Sequence, residues 1–176
     1  MTLPRVEVRH LRDFSQRDHE QLAALRGEID YGIPPHTWTA SEDTPWRVLL
    51  WDGDRLASHV GILEREIRVG DRPLTVAGIR SVMTLPALRG RGYASMAVSL
   101  ANDFIAGELP KSQFALLICL DTRVALYRRL GYELVREPTV FEQPGGPAVN
   151  PINTMVRPFR GRAWPSGRVD LCGLPW

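Results

Sequence analysis

Two glycines alternate with two arginines in Arg89-Gly90-Arg91-Gly92-Tyr93-Ala94, a combination suited to holding a phosphate. The run 76–85 before it is mostly apolar and is stopped by Pro86, as a strand would be. After it, Ala94, Met96, Ala97, Val98, Leu100, Ala101, Phe104 and Ile105 fall at the spacing of one helix face. The glycines therefore sit between the end of a strand and the first turn of a helix. That turn leaves backbone N–H groups without partners, and its dipole favours an anion. Gly90 and Gly92 let the backbone curl towards a ligand, and Arg89 and Arg91 add positive charge. Two familiar phosphate loops are excluded. No Gly-Lys-Ser/Thr ending is present, and the position three after Gly92 is Ser95 rather than the third glycine of a dinucleotide fingerprint.

A second stretch, Ala125-Leu126-Tyr127-Arg128-Arg129-Leu130-Gly131-Tyr132, lies on a short apolar-faced segment closed by glycine. Its Tyr127 is a phenol able to donate a proton, and equally able to serve as an inner-face core tyrosine. His59, with Glu64 and Glu66 farther along the same extended segment, offers the candidate base. A strand histidine is more often a hydrogen-bonded structural group. His10, His19, His36 and His59 are scattered without ligand spacing, so no metal site is expected.

These residues need elements to position them. The 176 residues suffice for one domain with a proper core, and 44% hydrophobic with 24% charged residues is ordinary for a globular protein. A net charge of +2 is too small to favour nucleic acid or an anionic membrane, and no apolar run approaches a membrane span. With only Cys119 and Cys172, and no apolar signal core at the N-terminus, the expected setting is reduced and cytoplasmic.

Taken in order, Arg5 to Leu11 alternates as a short strand. A helix capped by Ser15 or Asp18 runs to about Arg26, with Leu22, Ala23, Leu25 and Ile29 inward. Tyr31-Gly32-Ile33-Pro34-Pro35 ends it, and Trp38 lies in a polar loop. Residues 46–51, about 56–69 and a third strand running to Leu85 form an antiparallel meander turning at Asp52-Gly53-Asp54 and Gly70-Asp71-Arg72. After the central helix, 114–120 is a strand apolar on both faces, 123–130 a helix, Tyr132 to Phe141 a strand, and Asn153 to Val156 a last strand. The order is mixed α/β, one domain over 1–176 with a Pro-rich irregular segment at 158–176.

Arg89-x-x-Gly92-x-Ala94 resembles the coenzyme A pyrophosphate loop of the GNAT superfamily of N-acetyltransferases, Gln/Arg-x-x-Gly-x-Gly/Ala. Leu126-Tyr127, followed by three residues, Gly131 and Tyr132, resembles that family's segment after its fifth strand. The two stretches stand in the family's order. The resemblance covers roughly Trp46 to Phe141. It implies the acyl-CoA N-acyltransferase fold, a mixed α/β arrangement with a central, mostly antiparallel sheet flanked by helices. It implies acetyl-CoA as co-substrate, a small-molecule amine as partner, and direct attack of the amine on the thioester. Residues 89–95 would then hold the pyrophosphate. A backbone N–H of Val82, Met83 or Thr84 would receive the oxyanion, a splay or bulge beside the 114–120 strand would free these groups, and Tyr127 would serve the leaving thiolate. His59 is the candidate substrate-side or relay group. Homodimers are common in the superfamily, so a homodimer stays open.

Within it, Leu49-Leu50-Trp51-Asp52-Gly53, Ala57-Ser58-His59-Val60 and Gly173-Leu174-Pro175-Trp176 resemble aminoglycoside 2'-N-acetyltransferases. The acidic residues by which that family meets a polycation are missing here. His59 and Trp164-Pro165-x-Gly167 also resemble nodulation N-acyltransferases, which act on an amino sugar. An aminoglycoside or amino-sugar acceptor, and an inactive acetyl-CoA-binding sensor, are the alternative readings.

Overall fold

The computed structural model describes residues 4–30, 32, 39–41 and 44–176. The helix-ending run at Tyr31 and Ile33–Pro35, and Trp38, Glu42 and Asp43, lie outside the described residues.

The expected meander is present as β2 (Trp46–Asp52), β3 (Arg55–Val69) and β4 (Arg72–Thr84), each antiparallel to the next, and β1 (Arg5–His10) adds antiparallel to β2. Gly53 and Gly70 both take positive φ at the turns, the conformation a tight hairpin requires. Between β1 and β2 lies α1 (Gln16–Gly27), which begins at a complete capping box. The Ser15 side chain accepts from the Asp18 N–H, and the Asp18 carboxylate accepts from the Ser15 N–H. Leu22 and Leu25 face inward as expected, but Ala23 is exposed, because it falls off the stripe those two define.

α2 (Tyr93–Glu108) follows β4 and leads to β5 (Phe114–Cys119), which runs parallel to β4. α3 (Asp121–Arg129) then returns the chain to β6 (Glu133–Leu134). The expected single strand from Tyr132 to Phe141 is broken. β6 and β7 (Thr139–Phe141) are separate, with Pro138 between them unable to donate to a ladder. β8 (Ala148–Val149), β9 (Asn153–Pro158) and β10 (Val169–Asp170) complete the described sheet. The segment 158–176 is therefore not wholly irregular: β10 pairs antiparallel with β3 and parallel with β7.

The path through the sheet is β6-β9-β5-β4-β3-β10-β7-β8, with β2 and β1 on the first half of β3. Alternate residues of β2 separate its faces. Val48 and Leu50 pack with Ala97, Val98, Ala101 and Ile105 of α2. Leu49 and Trp51 pack with Leu22 and Leu25 of α1. The two helices thus cover opposite faces, and the end of β4 emerges between them. No helix among the described residues is long and apolar enough to cross a membrane.

Candidate active site

β4 and β5 pair only from Val76↔Phe114 to Gly78↔Leu116, after which the strands part. β5 continues in register with β9 instead. The splay expected beside β5 is present: the β4–β5 ladder stops at Gly78, and residues 79–84 run on beyond it. A bulge lies on the other edge. His59 pairs with Met83 and Gly61 with Arg80, so Ser81 and Val82 together face Val60. Ser81 takes φ of +47°, the strained turn of the bulge.

His59 holds that turn. Its Nδ1 lies 2.8 Å from the Ser81 carbonyl oxygen, which can only accept, so Nδ1 carries the hydrogen. The ring is fully buried and Nε2 has no partner among the described residues. Burial lowers its pKa to about 3; the Ser81 bond opposes this and the charges of Arg47, Arg26 and Arg80 add to it. The imidazole is neutral, and it does not line the cleft beside it.

That cleft has a volume of about 1060 Å³. Val82, Met83 and Thr84 of β4, Tyr127 of α3, and every residue from 89 to 95 except Arg91 line it. Gly90 and Gly92 stand at φ of +77° and +85°, and Gly92 is the N-cap of α2 with no side-chain cap. A Cβ at either glycine would meet nothing within 4 Å, so the demand for glycine is one of backbone hand, above open space. The first-turn N–H groups of a 16-residue helix are thus presented uncapped to the cleft, with Arg89 beside them.

Tyr127 is 6% exposed and packs edge-on against Tyr132 at 5.8 Å. Tyr132 is satisfied by Asn102 at 2.7 Å. The Tyr127 hydroxyl has no partner among the described residues, yet it is not a sealed buried atom. Burial, and secondarily the nearby Cys119, hold its phenol above the usual range. It remains a donor facing the cleft.

A family model described as acetyltransferase (GNAT) domain matches residues 16–135. The chain belongs to the GNAT acetyltransferases. No curated protein matches it. Among solved structures it is similar to Escherichia coli ElaA, with a TM-score of 0.64 and 20% identity over 88% of this chain and 99% of that one. An acyl-CoA N-acyltransferase from Pseudomonas aeruginosa gives 0.61 and 20% over 88% and 99%. A GNAT family acetyltransferase from Brucella melitensis, in complex with acetyl-CoA, gives 0.57 and 14% over 94% of each chain. At these identities the likeness is one of fold.

Three further features mark this GNAT cleft. Trp176 lies over Gly78 at the last β4–β5 pair, where a Cβ would come within 2.4 Å of the indole, and its Nε1–H donates to the Leu116 carbonyl at 3.3 Å. Cys119 lines the cleft, but burial, then Asp121, raise its thiol to about 11, which keeps it an unreactive thiol. Most notably, Arg26, Arg47, Arg80, Arg89, Arg123 and Arg129 line the cleft against a single acidic side chain, Asp30, among the described residues.

Proposed function

We propose that the chain is an acetyl-CoA-dependent N-acetyltransferase acting on a primary amine of a small molecule. The observation that carries this reading is the junction of two devices in one cleft: an uncapped helix entry at Gly92, and a β4 edge released from β5. The first fits a pyrophosphate, held by the N–H groups of Tyr93, Ala94 and Ser95 with Arg89 at its side. Gly90 sets the curl, and Arg91 adds charge from the exposed rim. The second fits an extended amide-bearing arm, which would take the backbone positions of residues 82–84 that β5 gives up.

Acetyl-CoA supplies an activated thioester for attack by the amine. The backbone at the bulge, Val82 with its neighbours Met83 and Thr84, offers N–H donors to the oxyanion that develops. Tyr127 donates a hydrogen bond to the departing sulfur, as its buried, protonated phenol allows. His59 acts through the backbone, holding the Ser81 carbonyl and so the bulge. With a pKa of about 3 and no face on the cleft it is a positioning residue, and the amine's proton leaves through water.

The cationic lining weighs against an aminoglycoside acceptor, since a polycation would meet like charge. The reading is tested by following free-thiol release from acetyl-CoA across a panel of primary amines. Amine-dependent release supports it; acetyl-CoA binding without turnover on any amine would make the chain a binding module.

A further inference from the structure

Arg47 is the least explained charge in the molecule. It lies on β2, only 4% exposed, and lines the cleft. Its Nε and Nη1 are buried with no hydrogen-bond partner, and no carboxylate pairs with it among the described residues. Burial lowers its pKa to about 10, helped by the positive charges of Arg26 and Arg80. An unpaired guanidinium in such a place is unfavourable until an anion arrives.

The sheet brings it there by register. Arg47 pairs with Gly61, and Gly61 with Arg80, so the three stand in a row across β2, β3 and β4 on the face that carries α1. Gly61 is the floor: a Cβ there would stand 2.6 Å from Arg47 Nη1 and 3.1 Å from Arg80 Cγ. Arg80 is steadied by the Ser41 carbonyl and by Thr44 Oγ1. The row lies just before the bulge at Ser81 and Val82. The phosphate loop begins beyond Thr84, roughly 13 Å farther along the strand from Arg80. Two cationic places therefore flank the bulge, and only one is the helix entry.

We propose that the acyl acceptor carries an anionic group beside its amine, a carboxylate or a phosphate, and that Arg47 receives it. This rests on the acetyltransferase reading. The bulge then stands between a cofactor phosphate on one side and the acceptor's anion on the other, which fixes the amine in the middle. A guanidinium can meet either anion with two parallel N–H donors.

The test has two arms. In the first, kcat/KM is measured by thiol release for matched pairs: amino acids against their amides, and O-phosphoethanolamine against ethanolamine. The anionic member is favoured by about tenfold or more, the size of a lost charged hydrogen bond, and the pair that shows it separates carboxylate from phosphate. In Arg47→Met that ratio falls towards one, while the Kd for acetyl-CoA stays as in the wild type. Preference for the neutral member, a ratio that survives in Arg47→Met, or a loss of acetyl-CoA affinity in that variant would each overturn the proposal.

The second arm needs no turnover. Thermal denaturation of the cofactor-free protein is compared in acetate, inorganic phosphate and chloride at matched ionic strength. The wild type is stabilised by acetate or phosphate over chloride. Arg47→Met, freed of a buried charge, melts higher in chloride, loses the acetate effect and keeps only that part of the phosphate effect which belongs to the helix entry at Gly92. Gly61→Ala, which keeps the arginine but displaces it, loses the acetate effect too. Equal anion responses in all three proteins, or none in the wild type, would overturn the proposal. Absence of acetyl-CoA binding would instead sink the acetyltransferase reading and leave this second arm to decide on Arg47.

Discussion

Replacing Tyr127 with Phe keeps the ring that packs against Tyr132 and removes only the hydroxyl of a residue that lines the cleft. The expected result is a fall in kcat of about 100-fold, with thermal stability and acetyl-CoA affinity held. Equal turnover by the variant would make Tyr127 a core residue. His59 gives a different signature. Its folded pKa of about 3 lies below the usual 6.5, so the ring stays neutral across working pH. The kcat/KM profile should show no histidine limb between about pH 5 and pH 8. His59→Asn, which can still present an N–H to the Ser81 carbonyl, should keep more activity than His59→Leu. A limb near pH 6.5 that vanishes in both variants would restore His59 as a base. Tyr127 was legible because a Leu-Tyr-x-x-x-Gly-aromatic pattern surrounds it. Arg47 was not. It reads as one charged residue at the start of an apolar strand, and only the pairing with Gly61 reveals that it is buried and unpaired.

At the scale of elements, α1 depends on its cap. Asp18 is buried, accepts from Ser15, and receives two hydrogen bonds of 2.8 Å from Arg9. Burial alone would raise its pKa, but these partners bring it from 3.8 down to about 2. A depressed folded pKa means stability that is present above the unfolded value and lost as pH falls through the folded one. Asp18 should therefore contribute on the order of 2 kcal/mol near neutrality, lost between about pH 4 and pH 2. Urea unfolding of wild type and Asp18→Ala across that range checks it: the gap should close at the acid end. A pH-independent gap would assign the loss to packing. Capping of this kind is local and was legible in Ser15 and Asp18. The meander and the glycine entry to α2 were legible for the same reason, since turns and stripes are short-range signals. β6 and β10 are two residues long and exist through partners distant in sequence, such as Val169 beside Val69. No local pattern specifies such a pairing.

For the whole molecule, the net charge of +2 conceals an uneven distribution, with arginines gathered around one cleft. The curled sheet creates that cleft by parting β4 from β5, and Trp176 closes the crotch where they part. α2 aims its uncapped entry at the opening from one face, and α1 brings Arg26 from the other. This arrangement predicts selectivity among phosphate-bearing ligands. A generic anion cradle would accept any diphosphate. A cradle joined to a released strand edge favours one that continues into an extended amide-bearing arm. The direct test is a calorimetric titration of the protein with acetyl-CoA, ATP and NAD. Acetyl-CoA should bind with micromolar affinity and far more tightly than the two nucleotides, and Gly92→Ala, forced against a φ of +85°, should weaken it by at least about tenfold. Equal or tighter binding of ATP or NAD, with no response to acetyl-CoA, would contradict the account.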